Sequence, residues 1–353
     1  MLPFSSRKSP VIGIDISSTS IKLIELSRSG SGYRVEHYGV EPLPANSITE
    51  KVISDVDAVG DSIRKAVKKA GSKAKKCSLA VAGSAVISKV ITMPSSLSDQ
   101  DMEAQIQIEA DQYIPYALEE VNLDFNVLGP TEGNPDTVDV LLAASRSENV
   151  EMRVAAAEVA GLTPIVVDVE AYAIENIYPL LTDDIPDEGV DKTVGILDIG
   201  STMTSLNVMQ SGGMVYTREQ PFGGKQLTEE IMHQYGLTYE EAGLAKKEGG
   251  LPDNYVTDLL EPFKQTAAQQ ANRFLQFFYS ASQHSTVDHI VLAGGCASIP
   301  GLDEIIHKEL GISVTTANPF KHISLGSKIN PQALGNDAPA LLISSGLALR
   351  AFD

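Results

Sequence analysis

Val11-Ile12-Gly13-Ile14-Asp15-Ile16, then Ser17-Ser18-Thr19-Ser20, then Ile21-Lys22 form an apolar burst carrying an aspartate, a turn of small hydroxyl residues, and a second burst. A lysine stands seven residues past the aspartate. Further apolar runs at 21–26 and 33–38, separated by polar residues 28–32, predict a three-stranded antiparallel meander. A hairpin turn of this composition lets backbone N–H groups close on phosphate oxygens, while Lys22 adds a positive charge and Asp15 can hold a metal-bound water. Taken alone, an ordinary serine-rich hairpin is the better reading. The second half changes that, because Asp198-Ile199-Gly200-Ser201-Thr202 repeats the arrangement with an apolar strand before it and another after. Two such turns facing each other across a cleft can grip a polyphosphate.

Working outward, the pattern predicts a helix over 52–70 and a buried strand over 77–82, so the opening reads β-β-β-α-β. After the acidic, proline-containing stretch 182–192 the order recurs. Strands are expected at 194–199, 205–209 and 214–220, helices at 225–235, 239–247 and 255–284, and a strand at 289–292. That last strand runs into Gly294-Gly295-Cys296, where the glycines permit close backbone approach to a flat ring, as an adenosine shelf requires. The plainer alternative is a tight strand-to-helix turn. Neither the helix-starting Gly-x-x-x-x-Gly-Lys-Ser/Thr nor the Gly-x-Gly-x-x-Gly phosphate motif is present, so the grip rests on hairpins. Residues 88–161, with a strand at 87–92, a helix at 99–112 and a strand at 122–128, have no counterpart in the second half. They read as an inserted subdomain, the place for a specialised role.

Composition narrows the function classes. With 353 residues, 43% of them hydrophobic, the chain can bury a large core as two domains or one bilobed fold. Its 46 acidic against 27 basic residues give a formal charge of −19, which repels nucleic acid and anionic lipid. Only Cys77 and Cys296 are present, without metal-site spacing, so free thiols in a reducing compartment are expected. Residues 1–10 carry Arg7 and Lys8 but lead into no apolar signal core, and no run of 18 apolar residues occurs. The chain is therefore expected in the cytoplasm, with 338–353 a packed helix.

Phosphate turn, connecting helix, second phosphate turn, adenosine turn and second connecting helix follow one another over nearly the whole chain. This order resembles the actin-like ATPase superfamily of actin, the seventy-kilodalton heat-shock chaperones, sugar kinases, MreB and FtsA. The resemblance implies an α/β, actin-like (ribonuclease H-like) fold of duplicated βββαβα domains around a nucleotide cleft, with ATP and Mg2+ as cofactors. The first domain would comprise 1–87, 162–185 and the helix 338–353, the insert 88–161, and the second domain 186–337. By the same resemblance Ser17, Ser18, Thr19, Lys22, Gly200, Ser201 and Thr202 contact phosphates, and Asp15 and Asp198 hold the metal through water. Glu170, opening the connecting helix 169–180, would position a water, although an acid there also suits the helix dipole. Gly223, Gly224 and Thr228 correspond to the opening of the helix after the second phosphate turn, and Lys246 to an adenosine contact. Gly243 stands where relatives carry Glu. Gly294, Gly295 and Cys296 complete the site.

The insert carries a narrower resemblance. Ile108-Glu109-Ala110-Asp111-Gln112-Tyr113-Ile114-Pro115-Tyr116, then Glu119-Glu120-Val121 and Asp124-Phe125, resemble the characteristic segment of the PilM family of type IV pilus machinery. That implies an ATP-binding scaffold with weak or no ATPase activity, which docks the cytoplasmic N-terminal tail of inner-membrane PilN in a groove beside the insert. PilO and PilP would be linked indirectly, pilus motor ATPases are further candidate partners, and the inner membrane is reached only through a partner. The candidate contacts are Tyr113, Pro115, Tyr116, Glu119, Glu120 and Asp124: acids for a basic residue on the peptide, tyrosines offering an apolar body with a polar tip. Each is equally readable as a solvated turn residue or a core-edge tyrosine. Two alternatives stay open, a filament-forming FtsA- or MreB-like ATPase and a small-molecule kinase of the same superfamily. For the kinase, no general-base aspartate stands out.

Overall fold

Val11–Ile16, Ser20–Ser29 and Gly32–Pro42 pair as the expected antiparallel meander. The computed structural model describes residues 9–49, 51–283 and 285–353, and of Asp111 the backbone alone; Arg7, Lys8 and the end of the expected 255–284 helix lie outside the described residues. Lys76–Val81 and Thr163–Val169 extend the sheet in parallel beyond Val11–Ile16. All six residues of Val11–Ile16 are buried, as a strand covered on both faces requires. The second sheet runs Gly213–Gln220, Thr204–Gln210, Thr193–Ile199, His289–Ala293, Ser313–Thr316. Both sheets thus contain a meander followed by two parallel strands, and the duplication read from the sequence is a duplication of the backbone.

Helices cover these sheets for local reasons. Val56–Ala70 starts at Asp55, whose side chain accepts the Ala58 N–H at 2.9 Å, and it turns Val59, Ile63 and Ala66 onto the first sheet. It begins later than expected because Ile48–Thr49 and Val52–Ile53 form a two-residue ladder whose turn holds Lys51 at φ +67°. Behind the second sheet lies Glu261–Ala281, with Pro262 in its first turn and Phe274 and Phe278 fully buried. Between the sheets, Glu170–Ile177 crosses Leu342–Leu349 at backbone contact: a Cβ on Gly346 would lie 1.8 Å from the Ala173 carbonyl oxygen. Gly13 lets the same helix settle on Val11–Ile16, since a Cβ there would lie 2.1 Å from the Ser344 carbonyl oxygen.

The insert is a three-stranded antiparallel sheet, Val86–Pro94, Asn134–Arg146, Val121–Thr131, with Asn134–Arg146 central. Asp99–Glu109 covers one face, packing Met102 and Ile106 against Ile91, Met93, Val140 and Leu142. The central strand and the following helix Ser147–Val159 have no counterpart among the expected elements. That helix buries Ala156 and Ala157 with Val59 and Ile63, so the end of the expected 88–161 insert packs on the first unit. Residues 324–337, expected in the second domain, also differ. Ser324–Leu325 pairs with Arg34 and Val35, and Leu334 is buried with Ile24 and Leu26, because the chain returns to the first sheet before its last helix. The outward crossing at 182–190 and this return lie side by side, where Asp184 forms an ion pair with Lys321 and Asp183 lies 3.5 Å from His322. Among the described residues no helix is long and apolar enough to cross a membrane.

Candidate functional site

The two hydroxyl turns meet. Ser18 Oγ and Thr202 Oγ1, 184 positions apart, share a 2.7 Å hydrogen bond that joins the units at the floor of a cleft of about 1970 Å3. The first turn is closed by the Ser17 N–H donating to the Ser20 carbonyl (3.1 Å), the second by the Gly200 N–H donating to the Met203 carbonyl (2.9 Å). Among the described residues, the amides of Ser18, Thr19, Ser201 and Thr202 enter no backbone hydrogen bond, and all four residues line the cleft. Lys22 donates to Asp15 Oδ2 and to Ser17 Oγ, both at 2.8 Å, so the lysine of the first turn is committed to its own hairpin.

Beneath the turns lie four carboxylates, Asp15, Asp198, Glu170 and Glu219, and two ammonium groups, Lys22 and Lys51. Lys51 Nζ is 2.5 Å from Glu170 Oε2 and 3.9 Å from Glu219 Oε1. The Arg153 guanidinium also faces Glu170 and Asp15, so four acids against three bases leave an excess of one negative charge when all are ionised. Among the described residues, no three such side chains converge closely enough to ligate a metal directly. Free amides, small hydroxyls and this acid excess together suit a polyphosphate with its metal. Buried pairs of this kind are costly to break, about 3–5 kcal/mol, whereas the exposed Arg64–Asp61 pair is worth about 1 kcal/mol at most.

Burial pushes Asp198 up to about 6, with Lys22 and Lys51 pulling down and Asp15 and Glu170 pushing further up. Glu170 is raised by burial against the pull of Lys51. For Lys51 burial works to discharge the ammonium, but Glu170, then Glu219 and Asp15, hold its pKa above the ordinary lysine value. Because Asp198 titrates above its ordinary 3.8, its protonation favours folding: that contribution is fully present below 3.8 and is lost as pH rises through about 6. Asp198→Asn is therefore expected to melt above the wild type at pH 7 without nucleotide, by a margin that narrows at pH 5. Thermal melts at the two pH values check this, and a margin that widens on acidification would contradict the assigned burial.

Glycines let the surrounding segments close on the second turn. A Cβ on Gly294, at φ +84°, would lie 2.4 Å from Asp198 Oδ1, and one on Gly223 would lie 2.5 Å from the Ser201 carbonyl oxygen. The Gly224 N–H donates to the Gly200 carbonyl at 3.0 Å. Lys246 Nζ donates to the Gly224 carbonyl at 3.0 Å and to Thr228 Oγ1 at 2.6 Å, and burial lowers its pKa. Cys296, expected on the shelf, is buried and donates to the Gly200 carbonyl at 3.3 Å, bracing the turn; burial pushes its thiol up to about 11. Gly295 and Gly243 have open space where a side chain would stand, and Gly243 lines the cleft. Glu241, in the segment matched to the adenosine contact, closes a capping box with Thr238.

The structure thus brings Asp15, Ser17, Ser18, Thr19, Lys22, Glu170, Asp198, Gly200, Ser201, Thr202, Gly224, Lys246, Gly294 and Cys296 around one floor. Sequence reasoning missed Lys51, Glu219 and Arg153. Arg153, 3% exposed, donates from Nε to the Ala80 carbonyl (2.7 Å) and from its terminal nitrogens to the carbonyls of Asn149 (3.0 Å) and Lys51 (3.1 Å). None of the three carries a local motif. The candidate partner residues sit apart, on the insert. Tyr113 lies under Lys89 at 4.5 Å and Tyr116 under Arg146 at 4.3 Å, both also packed into the insert's core. Pro115, Glu119, Glu120 and Asp124 are exposed.

Comparison with known proteins follows the same lines. The chain is 23% identical over 349 residues to the cell division protein FtsA of Bacillus subtilis (strain 168), covering 87% of this chain and 78% of FtsA. A solved PilM-PilN type IV pilus biogenesis complex contains a chain that superposes with TM-score 0.81 at 28% identity, covering 98% of this chain and all of that one. The ethanolamine utilization protein EutJ of Carboxydothermus hydrogenoformans matches at TM-score 0.53 and 16% identity, over 97% of this chain and 89% of EutJ, a likeness of fold alone. The fold is the actin-like one. The sequence model described as type IV pilus assembly protein PilM matches residues 13–352, and the chain belongs to that family.

Proposed function

We propose that this protein is an ATP-binding scaffold of the type IV pilus machinery, which holds Mg-ATP between its two hydroxyl turns and docks the cytoplasmic N-terminal tail of PilN beside its insert. PilO and PilP would be linked through PilN. The observation that carries the nucleotide reading is the Ser18–Thr202 hydrogen bond, which puts the two phosphate-type turns in contact across the cleft. Likeness to a chain of the PilM-PilN complex supports the partner. Bound ATP would supply phosphate charge that differs between nucleotide states. Ser18, Thr19, Ser201 and Thr202 would hold phosphates, Asp15 and Asp198 the metal through water, and Gly294, Gly295, Gly224 and Lys246 the nucleoside. Glu170 is tied to Lys51, which occupies the carboxylate a free base would need and suits a structural or switching role for ATP.

Asp15→Asn and Asp198→Asn are each expected to weaken Mg-ATP binding roughly tenfold or more, about 1.4 kcal/mol, in calorimetric titration. Unchanged affinity in both folded variants would overturn the site. Titration with a synthetic PilN N-terminal peptide separates scaffold from kinase: binding without turnover of sugars supports the scaffold, and turnover without peptide binding supports the kinase.

A further inference from the structure

We propose that Lys51 is the residue with which this cleft distinguishes a nucleoside triphosphate from a diphosphate, by leaving Glu219 for a terminal phosphate; this rests on the nucleotide reading above. Lys51 lines the cleft together with Ser18, Thr19, Ser201 and Thr202. Of the two lysines at its floor, Lys22 is committed to Asp15 and Ser17 within its own hairpin, both at 2.8 Å. Lys51 is held firmly on one side only. Its 2.5 Å contact is with Glu170 of the first unit, and its 3.9 Å contact with Glu219 of the second lies at the limit of an ion pair. An ammonium has three donors, so Lys51 can keep Glu170 while exchanging Glu219 for a phosphate oxygen.

Glu219 supplies an independent sign of a missing ligand. Its side chain is only 10% exposed, yet its Oε2 has no hydrogen-bond partner among the described residues. A buried carboxylate oxygen without a donor is costly, and a metal-bound water is a donor of the kind that would satisfy it. The backbone that carries the ammonium is held in place. Lys51 occupies a left-handed conformation, φ +67°, in the turn of a two-residue ladder, and its carbonyl accepts from the buried Arg153. Since Glu219 belongs to the second unit and Glu170 to the first, the partner Lys51 takes also decides whether it ties the two units together.

The test uses the full chain, with Lys51→Met and Glu219→Gln, in calorimetric titration with Mg-ADP and with the magnesium complex of a non-hydrolysable ATP analogue. The wild type is expected to bind the analogue about tenfold more tightly than ADP. Lys51→Met should bring the ratio to within about twofold, and Glu219→Gln, which frees Lys51, should raise the ratio. An unchanged ratio in a folded Lys51→Met chain overturns the proposal, as does equal wild-type affinity for the two ligands. If Lys51→Met fails to fold, Glu219→Gln decides, and an unaltered ratio there overturns it. A wild type that binds neither nucleotide defeats the nucleotide reading itself, a result distinct from equal binding.

Discussion

Gly346→Ala is expected to cost about 3 kcal/mol or more of folding stability, at or beyond the upper end of overpacking substitutions. The added Cβ would lie 1.8 Å from the Ala173 carbonyl oxygen and 2.5 Å from its carbonyl carbon. These are backbone atoms inside a helix, so no side chain can swing aside. Relief requires Leu342–Leu349 to move off Glu170–Ile177, yet the same helix is fixed on Val11–Ile16 at Gly13 by an equally close approach. Gly335→Ala is the control. Gly335 lies in the helix Pro331–Asp337 with no atom near a Cβ, and alanine there should be neutral or stabilising by about 1 kcal/mol at most. Denaturant unfolding of both variants checks this, and equal stabilities would contradict the helix crossing.

Arg153→Met comes second, with an expected loss of about 3 kcal/mol. Arg153 answers two non-helical carbonyls, Ala80 in a buried bond and Lys51 in a half-buried one, that would be left short of a donor. Burial lowers its pKa, with Glu170 and then Asp15 opposing, so its charge is also held against the acid cluster. Methionine fills the volume of the stem and answers neither demand. Lysine keeps a charge but lacks the planar fork that reaches three carbonyls at once, so Arg153→Lys should recover less than half of the loss. Full recovery by lysine would show that charge alone matters there.

Arg153 also shows where reading the sequence runs out. The meander at Val11–Ile16 and its repeat at Thr193–Ile199 were legible because strand, turn and aspartate are consecutive, and pairing within a hairpin is local. Asp15 and Asp198 were found because each ends a strand whose register already aims it at the turn. Lys51 and Glu170 stand 119 positions apart and Ser18 and Thr202 184 apart. The latter pair was anticipated only because both ends carried the same motif. Lys51 and Glu219 carry no motif, and only the packing of one unit on the other brings them together. Asn134–Arg146 was missed for a different reason. As the central strand it carries the run Leu141-Leu142-Ala143-Ala144, which blurs the alternation that marks an edge strand. In Ser147–Val159 the buried face is built from Ala156, Ala157 and a charged Arg153, so an apolar stripe hardly shows. The return of residues 324–337 to the first sheet depends on a two-residue strand, too short to leave a pattern.

That return bears on how the two halves are joined. The polypeptide passes between its halves twice, at 182–190 and again near 318–323, and the two passages meet where Asp184 pairs with Lys321 and Asp183 lies beside His322. None of the residues in either passage lines the cleft. The two crossings therefore lie together and away from the cleft, while Ser18 and Thr202 join the halves at its floor. A ligand held at Ser18 and Thr202 would bear on a contact between the halves that is separate from both chain crossings.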